Sequence, residues 1–447
     1  MFRRILVANR GEVVDRIIRT CTRMGIETVA VATEADCDLQ FLASATTVAN
    51  IGPVRGYLDQ SAVLAAALSH HATAVHPGWG FLSENPTFAA RCESEGLTFI
   101  GASSSNMRQM ADKAEARSVM QAMGVPVIPG SDGPLGDVTA AKQAADVVGY
   151  PVLLKAVSGG GGRGMRIVRS EAGLEAAFAE ASAEAVGAFD DGRLYLEKLI
   201  ENGRHIEFQV VGDGARVQVL GERECSIQRR HQKLLEETPS PGLRGPNGAA
   251  VRARVAASVA RACEAIGYRG AGTIEMLLDE GGSLYFMEMN TRLQVEHTIT
   301  EEVTGADLVE SLLRVACNQR LPDFAAPSGW AVQCRINAED PSENFRPQPG
   351  RLTALHLPEL PGVRYDTHLR EGDKISPHYD SMIAKIIALG ANRDEAIARM
   401  KTALGAVRIE GVPTTVSLHR NLLCHPGFLA GQTDTGFLER ELGSLVP

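Results

Sequence analysis

Short apolar runs alternate with helical apolar periods along the first third of the chain. Ile5-Leu6-Val7-Ala8 reads as a strand that ends in Asn9-Arg10-Gly11. Val13, Val14, Ile17, Ile18, Cys21 and Met24 then recur on one helical face, and Gly25 stops that helix. Residues 28–31 predict a second strand, 72–76 another that runs into Pro77-Gly78-Trp79-Gly80, and 97–100 one more, ending at Gly101. A βαβ start of this kind implies a parallel sheet with ligand-binding loops at the carboxyl ends of its strands. A first boundary falls near residue 110.

Beyond it, residues 110–123 predict a helix carrying Lys113, and the Pro- and Gly-rich stretch 126–136 reads as a turn or linker. Strands at 151–157 and 165–168 enclose an almost pure glycine run, and an Ala- and Glu-rich helix covers 171–185, so these pieces form a small α+β flap. Strands then dominate, at 194–199, 205–211 and 216–220. A long helix spans 249–266, two strands flank Asp279-Glu280-Gly281-Gly282, and the tail from about Trp330 mixes short strands with a helix at 393–404.

Two segments carry chemistry. Gly159-Gly160-Gly161-Gly162-Arg163-Gly164 satisfies G-x-G-x-x-G only trivially. A dinucleotide fingerprint opens a helix, whereas a strand follows here, and a P-loop needs Gly-Lys-Ser/Thr where this chain has Gly-Met-Arg. What remains is a glycine hairpin with Lys155 on its entering strand, whose backbone N–H groups can close on phosphates because no Cβ atoms intervene. The competing reading is a flexible surface turn, which four consecutive glycines disfavour through their backbone entropy unless a ligand orders them.

The second segment is the pair of strands 273–278 and 283–290. In a hairpin without a bulge, Leu278 faces Tyr285 and Glu275 lies directly opposite Glu288, with Cβ atoms about 5 Å apart. Two such carboxylates repel unless a cation lies between them. Alternation puts Asn290 on the face of Glu288, and this set of hard oxygens suits Mg²⁺ bound with phosphate. An exposed acidic patch is the alternative. Past the hairpin, Arg292 is suited to clamp a small oxyanion and Glu296 to serve as its general base. The basic run Ile227-Gln228-Arg229-Arg230-His231-Gln232-Lys233 either faces an anion or forms a solvated loop.

Composition narrows the class. The 447 residues suggest about three domains. Residues of the AVILMFWYC set make up 44% and charged residues 22%, which excludes a disordered chain, a collagen and a small disulfide scaffold. With 45 Lys and Arg against 54 Asp and Glu, the net charge of −9 leaves no global footprint for nucleic acid. The eight cysteines form no C-x-x-C pair, so scattered buried thiols are expected rather than a zinc finger. No apolar stretch approaches the ~18 residues of a membrane span and the first apolar run is too short for a signal peptide, so a cytoplasmic enzyme is expected.

The segments Asn9–Glu12 (NRGE), 76–85 (HPGWGFLSEN), 111–113 (ADK), GGGGRGM, ERECSIQRRHQK, EMNTRLQVEH, 335–340 (RINAED) and YDSMIAK, collinear over essentially the whole chain, resemble biotin carboxylase, the ATP-grasp component of biotin-dependent carboxylases. The resemblance implies an α/β and α+β multidomain fold. It comprises a Rossmann-like pre-ATP-grasp domain at 1–111, an ATP-grasp domain at 112–316 with a mobile glycine-rich lid at about 131–200, and a C-terminal mixed α/β domain at 330–440.

It also implies ATP, Mg²⁺ (or Mn²⁺) and bicarbonate as the means of making carboxyphosphate, and biotin on a carrier protein as the acceptor, in the first half-reaction of an acetyl-CoA or acyl-CoA carboxylase of the kind that feeds fatty acid biosynthesis. By matching motif, Lys113, Lys155 and the lid glycines Gly160, Gly161 and Gly162 hold nucleotide phosphates. Glu197, with the backbone at Lys198 and Ile200, receives the adenine. His205, Gln228 and His231 line the nucleotide site, and Lys233 faces phosphate and bicarbonate. Glu275, Glu288 and Asn290 surround the metals. Arg292, Gln294 and Val295 position bicarbonate, Glu296 is its base, and Arg335, with Trp79 nearby, serves biotin by stabilising its enolate-like form.

The expected partners are a biotin carboxyl carrier protein, a separate carboxyltransferase subunit and a second copy of the chain, with no nucleic acid and no membrane. The chain departs from the family pattern at Trp79 (usually Tyr), Ser158 (often Gly), Cys37 (often Arg), Arg23 (an acidic residue can occur) and Pro361 (an aromatic can occur near the dimer contact). Trp79 is the sequence support for an alternative, an ATP-grasp ligase acting on a different small nitrogen nucleophile. A non-catalytic nucleotide-binding paralogue predicts a lost lysine or carboxylate, and none is lost.

Overall fold

In the computed structural model, residues 1–158 and 164–446 are described. The first third builds a parallel sheet in the spatial order Thr47–Asn50, Glu27–Ala32, Arg4–Val7, Ala74–His76, Thr98–Phe99. The order reverses direction at Arg4–Val7, so a crevice opens where Arg4–Val7 and Ala74–His76 end side by side. Asn9 closes it: its side-chain amide donates to the carbonyls of Pro77 and Trp79, at 2.6 and 2.7 Å.

The helix expected over 110–123 is two helices, Ser104–Ala111 and Lys113–Ala122. Asp112 interrupts them, because its carboxylate accepts from the N–H groups of Ala114 and Glu115 and so caps a new start with Lys113 as its first residue. Residues 126–136 form an irregular, bent segment tied down by single bridges from Val127 to Phe286, Gly130 to Glu197 and Leu135 to Leu194. A helix absent from the sequence reading, Val138–Val148, follows; Asp137 caps it.

Strands Met165–Val168, Val152–Ala156 and Leu194–Lys198 form a small antiparallel sheet, with helices Val138–Val148 and Leu174–Phe189 packed on a separate apolar cluster. The hairpin expected around the glycine run is present in its strands, with Lys155 opposite Met165. Gly160, Gly161 and Gly162 lie outside the described residues. Helix Leu174–Phe189 starts later and ends later than read, after a short 3₁₀ turn at Glu171–Gly173.

An eight-stranded sheet carries the rest. Its order is Leu284–Asn290, Arg269–Leu278, Arg204–Asp213, Val217–Arg229, Gln232–Thr238, Trp330–Asn337, Met382–Gly390 and Val363–Asp366, antiparallel throughout. The strand read as 216–220 therefore extends to Arg229. The basic run, read either as anion-facing or as a solvated loop, is the end of a hairpin: Gln228, Arg229, Gln232 and Lys233 pair across it, and Arg230 and His231 form its exposed turn, both at positive φ. Five of the cysteines are buried, whereas Cys37 and Cys424 are exposed.

Candidate functional site

The facing carboxylates are real, but not by the route the sequence suggested. Leu278 pairs with Leu284 rather than Tyr285, which shifts the hairpin by one residue, and a bulge between Glu275 and Met276 shifts it back, so Glu275 pairs with Glu288. Partial desolvation, then the neighbouring Glu275, push the Glu288 carboxyl above its ordinary value, although Glu288 itself lies exposed on the edge strand. Glu275 behaves oppositely: although burial pushes it up, Lys233 and His205 hold it well below the usual carboxylate range. His205 Nε2 lies 3.3 Å from Glu275 Oε2.

Lys233 is the hub. Its ammonium donates to Glu207 at 2.5 Å, Glu275 at 2.9 Å and Glu296 at 2.7 Å. The tight hairpin turn at Arg230-His231 brings it there, pairing Gln228 with Lys233. Glu296 is gripped on its other oxygen by Arg335 at 3.0 Å, and Arg335 also donates to Glu236 at 2.6 Å. Burial pushes the Glu296 carboxyl up, but Lys233, Arg335 and Arg223 together hold it well below the usual range, so it is ionised at neutral pH.

Beneath the hub lies a fully buried arginine, Arg223, donating to Glu207 at 2.5 Å, Gln209 at 2.6 Å, Thr300 at 2.9 Å, Gln294 at 3.1 Å and Thr273 at 3.2 Å. Gln294 passes the network on, donating to Glu275 at 2.9 Å. Arg292 reaches Glu84 at 2.8 Å and Asn290 at 3.2 Å.

At the other end of the cleft, Lys155 pairs with Glu197 at 2.5 Å, and Arg117 reaches the same carboxylate at 3.4 Å. Burial pushes the Lys113 ammonium down, with Glu288 acting against that shift. Lys198 donates to the carbonyls of Gly149 and Tyr150, both at 2.9 Å, just beyond the end of helix Val138–Val148, so its side chain serves the small sheet. His231, at the exposed hairpin tip, stands apart from the buried hub. Trp79 donates to Glu12 at 3.3 Å.

Three family models match the chain in series: the N-terminal domain of biotin carboxylase over residues 1–107, the ATP-binding domain of the carbamoyl-phosphate synthase L chain over 112–324, and the C-terminal domain of biotin carboxylase over 333–440. A biotin carboxylase of Haemophilus influenzae is 47% identical, with 99% of each chain covered. The chain belongs to the biotin carboxylase family. It is an ATP-dependent ligase that carboxylates biotin, as the resemblance implied.

A crystal structure of a Campylobacter jejuni biotin carboxylase in complex with β,γ-ATP superimposes with a TM-score of 0.93 at 45% identity, covering 98% of this chain and 99% of that one. The biotin carboxylase domain dimer of Hydrogenobacter thermophilus 2-oxoglutarate carboxylase, solved with MgADP, ADP and bicarbonate, gives 0.93 at 45% identity, covering 100% and 99%.

Four charged residues of this network escaped the sequence reading: Glu84, Glu207, Arg223 and Glu236. Glu84 sits in the quoted 76–85 segment without a role. Glu207 and Gln209 share a strand with buried Ile206, Phe208 and Val210, a pattern that a half-exposed strand also produces. Of the departures from the family pattern, Arg23 is neutralised inside its own chain, at 2.7 Å from both Asp307 and Glu310.

Proposed function

We propose that this chain joins bicarbonate to the γ-phosphoryl group of ATP and passes the resulting carboxyl group to a ureido nitrogen of biotin borne on a separate carrier protein, inorganic phosphate departing as the carbon–oxygen bond to it breaks. A distinct carboxyltransferase then moves it to an acceptor such as acetyl-CoA or another acyl-CoA, and two copies of the chain associate. The organisation supporting this reading is a nucleotide-binding unit at 112–316, its lid at about 131–200, flanked by units at 1–111 and 330–440.

The observation that carries the reading is the hub: one ammonium on three carboxylates, with a guanidinium on the far oxygen of the third. Bicarbonate is a poor electrophile, so phosphorylation supplies a leaving group: a bicarbonate oxygen bonds to the γ-phosphorus as the phosphoanhydride breaks and ADP departs. Lys113 and Lys155 neutralise phosphate charge beneath the glycine lid of Gly160, Gly161 and Gly162, which excludes water from an unstable product. Glu197 and the backbone at Lys198 and Ile200 receive the adenine, and His205, Gln228 and His231 line the nucleotide site.

Arg292, Gln294 and Val295 orient bicarbonate against Lys233. Glu296, already ionised, accepts its proton. Arg335 carries a permanent charge, so it stabilises the negative oxygen that biotin develops when its nitrogen is deprotonated, beside Trp79. Glu275 and Glu288 face each other across the hairpin and, with the amide oxygen of Asn290, offer the hard oxygens that would hold Mg²⁺ or Mn²⁺. Once held there, such an ion would supply charge neutralisation for phosphoryl transfer.

The test is to separate the two half-steps. Arg335→Gln is expected to lower carboxylation of free biotin by about 100-fold or more while bicarbonate-dependent ADP release without biotin persists. Equal loss of both would remove Arg335 from the biotin step. Glu288→Gln is expected to abolish metal-dependent turnover, and wild-type turnover in that variant would remove the acidic pair from the reading.

A further inference from the structure

The YDSMIAK segment ends in Lys385, which has no part in the site described so far. Its side chain is fully buried. Arg335 and Lys385 are direct partners on adjacent strands, so their side chains leave the same face of the sheet. Arg335 holds the carboxylate of Glu296 at 3.0 Å, while the ammonium of Lys385 donates to the carbonyl of Val295 at 3.0 Å. Two cations on neighbouring strands thus grip two consecutive residues of one loop, one by its side chain and one by its backbone.

The other partners of Lys385 are Glu12 at 3.0 Å and Asp366 at 3.8 Å. Asp366 also pairs with Arg364 and Arg19, both at 2.8 Å, and Glu12 is the nearer of the two carboxylates to Lys385. Glu12 opens the first helix of the N-terminal sheet, and its second oxygen accepts from Trp79 in the loop after Ala74–His76. An unbroken chain of contacts therefore runs from Trp79 through Glu12 and Lys385 to the Val295 carbonyl.

A peptide group is planar and trans, so a pinned carbonyl fixes the direction of the following N–H. Lys385 therefore sets the peptide between Val295 and Glu296, and the Gln294 carbonyl is pinned similarly by His297 Nδ1 at 2.7 Å. We propose that Lys385 is a positioning residue for the bicarbonate-binding loop, and that Glu12 couples this loop to Trp79, so that the loops serving bicarbonate and biotin share one buried anchor. The inference rests on the proposed bicarbonate role of residues 292–296.

The experiment measures bicarbonate-dependent ADP release without biotin, where direct contact between Trp79 and biotin is irrelevant. Lys385→Met, Glu12→Gln and Trp79→Phe are compared with Arg292→Ala in the full chain, with ATP KM and bicarbonate KM determined separately. Lys385→Met is expected to raise the bicarbonate KM by about tenfold, Glu12→Gln and Trp79→Phe by about two- to fivefold, with ATP KM unchanged. Should Lys385→Met fail to fold, Glu12→Gln, which keeps the shape, decides the point.

A fall in kcat alone with an unchanged bicarbonate KM in Glu12→Gln and Lys385→Met overturns the proposal and makes the buried pair merely structural. An unchanged KM in Trp79→Phe breaks the coupling. A bicarbonate KM that responds to Arg292→Ala but not to the other three sinks the anchor and spares the site assignment. A KM indifferent to Arg292→Ala as well sinks both.

Discussion

Glu296 shows how much of the site turns on single buried charges. Its oxygens are shared between Lys233 and Arg335, and the hub they form rests on Arg223, which is wholly enclosed. Removing one partner from a buried ion pair leaves the other uncompensated, a cost of about 3–5 kcal/mol. Arg223→Met is therefore expected to lower the denaturant midpoint markedly, whereas Glu84→Gln, at a partly exposed pair with Arg292, is expected to change it little. Urea unfolding of the two variants checks the contrast. Lys233, Glu275, Glu296 and Arg335 were legible in the sequence because they sit in dense, unusual motifs. Arg223 shares a motif with Lys233 but was given no role, and Glu207 and Glu236 were not singled out, because pairing across neighbouring strands depends on a register that no single segment displays.

Elements explain why the motifs meet. The opposition of Glu275 and Glu288 depends on a hairpin whose turn and bulge each move the register by one, and only the net result was legible. The helix Val138–Val148 was missed because its sequence, VTAAKQAADVV, follows a Pro- and Gly-rich stretch and carries no strong apolar stripe. The turn between Val217–Arg229 and Gln232–Thr238 places two L-residues at positive φ, each with φ near +50 to +65°. Backbone of that kind favours Asn and Gly. Arg230→Asn is expected to raise stability by a few tenths to about 1 kcal/mol without altering ATP KM. Adding His231→Gly is expected to stabilise further but raise ATP KM, a divergence that thermal melts beside steady-state kinetics will show.

At the scale of the molecule, four buried histidines govern acid sensitivity. Burial pushes His76 down to about 3 and His419 to about 4, and holds His297 and His368 well below the ordinary range. Below about pH 6.5 the unfolded chain takes up protons that the folded one refuses, so each group weakens the fold by about 1.4 kcal/mol per pH unit as pH falls toward its folded value. The unfolding temperature is expected to drop between pH 7 and 5, before most carboxylates titrate. His368→Phe, beside Phe41, is expected to flatten that slope, and a melt series across pH will reveal it.

The serial order of parallel sheet, flap and strand-rich remainder was legible from apolar periods. The fusion of residues 204–390 into one sheet was not, because the join between Gln232–Thr238 and Trp330–Asn337 links strands about ninety residues apart in sequence.

That join has a practical bearing on how this enzyme can be recombined. A chimera exchanging only the last third between relatives would make side chains of two parents meet across the ladder beside Glu236, where packing matched within one sequence must fit the other. Crossovers placed near residues 102–112, outside the ladder, leave it whole. Libraries built by shuffling are expected to give higher melting temperatures when the swapped block keeps 204–390 from one parent than when the seam falls between 239 and 329.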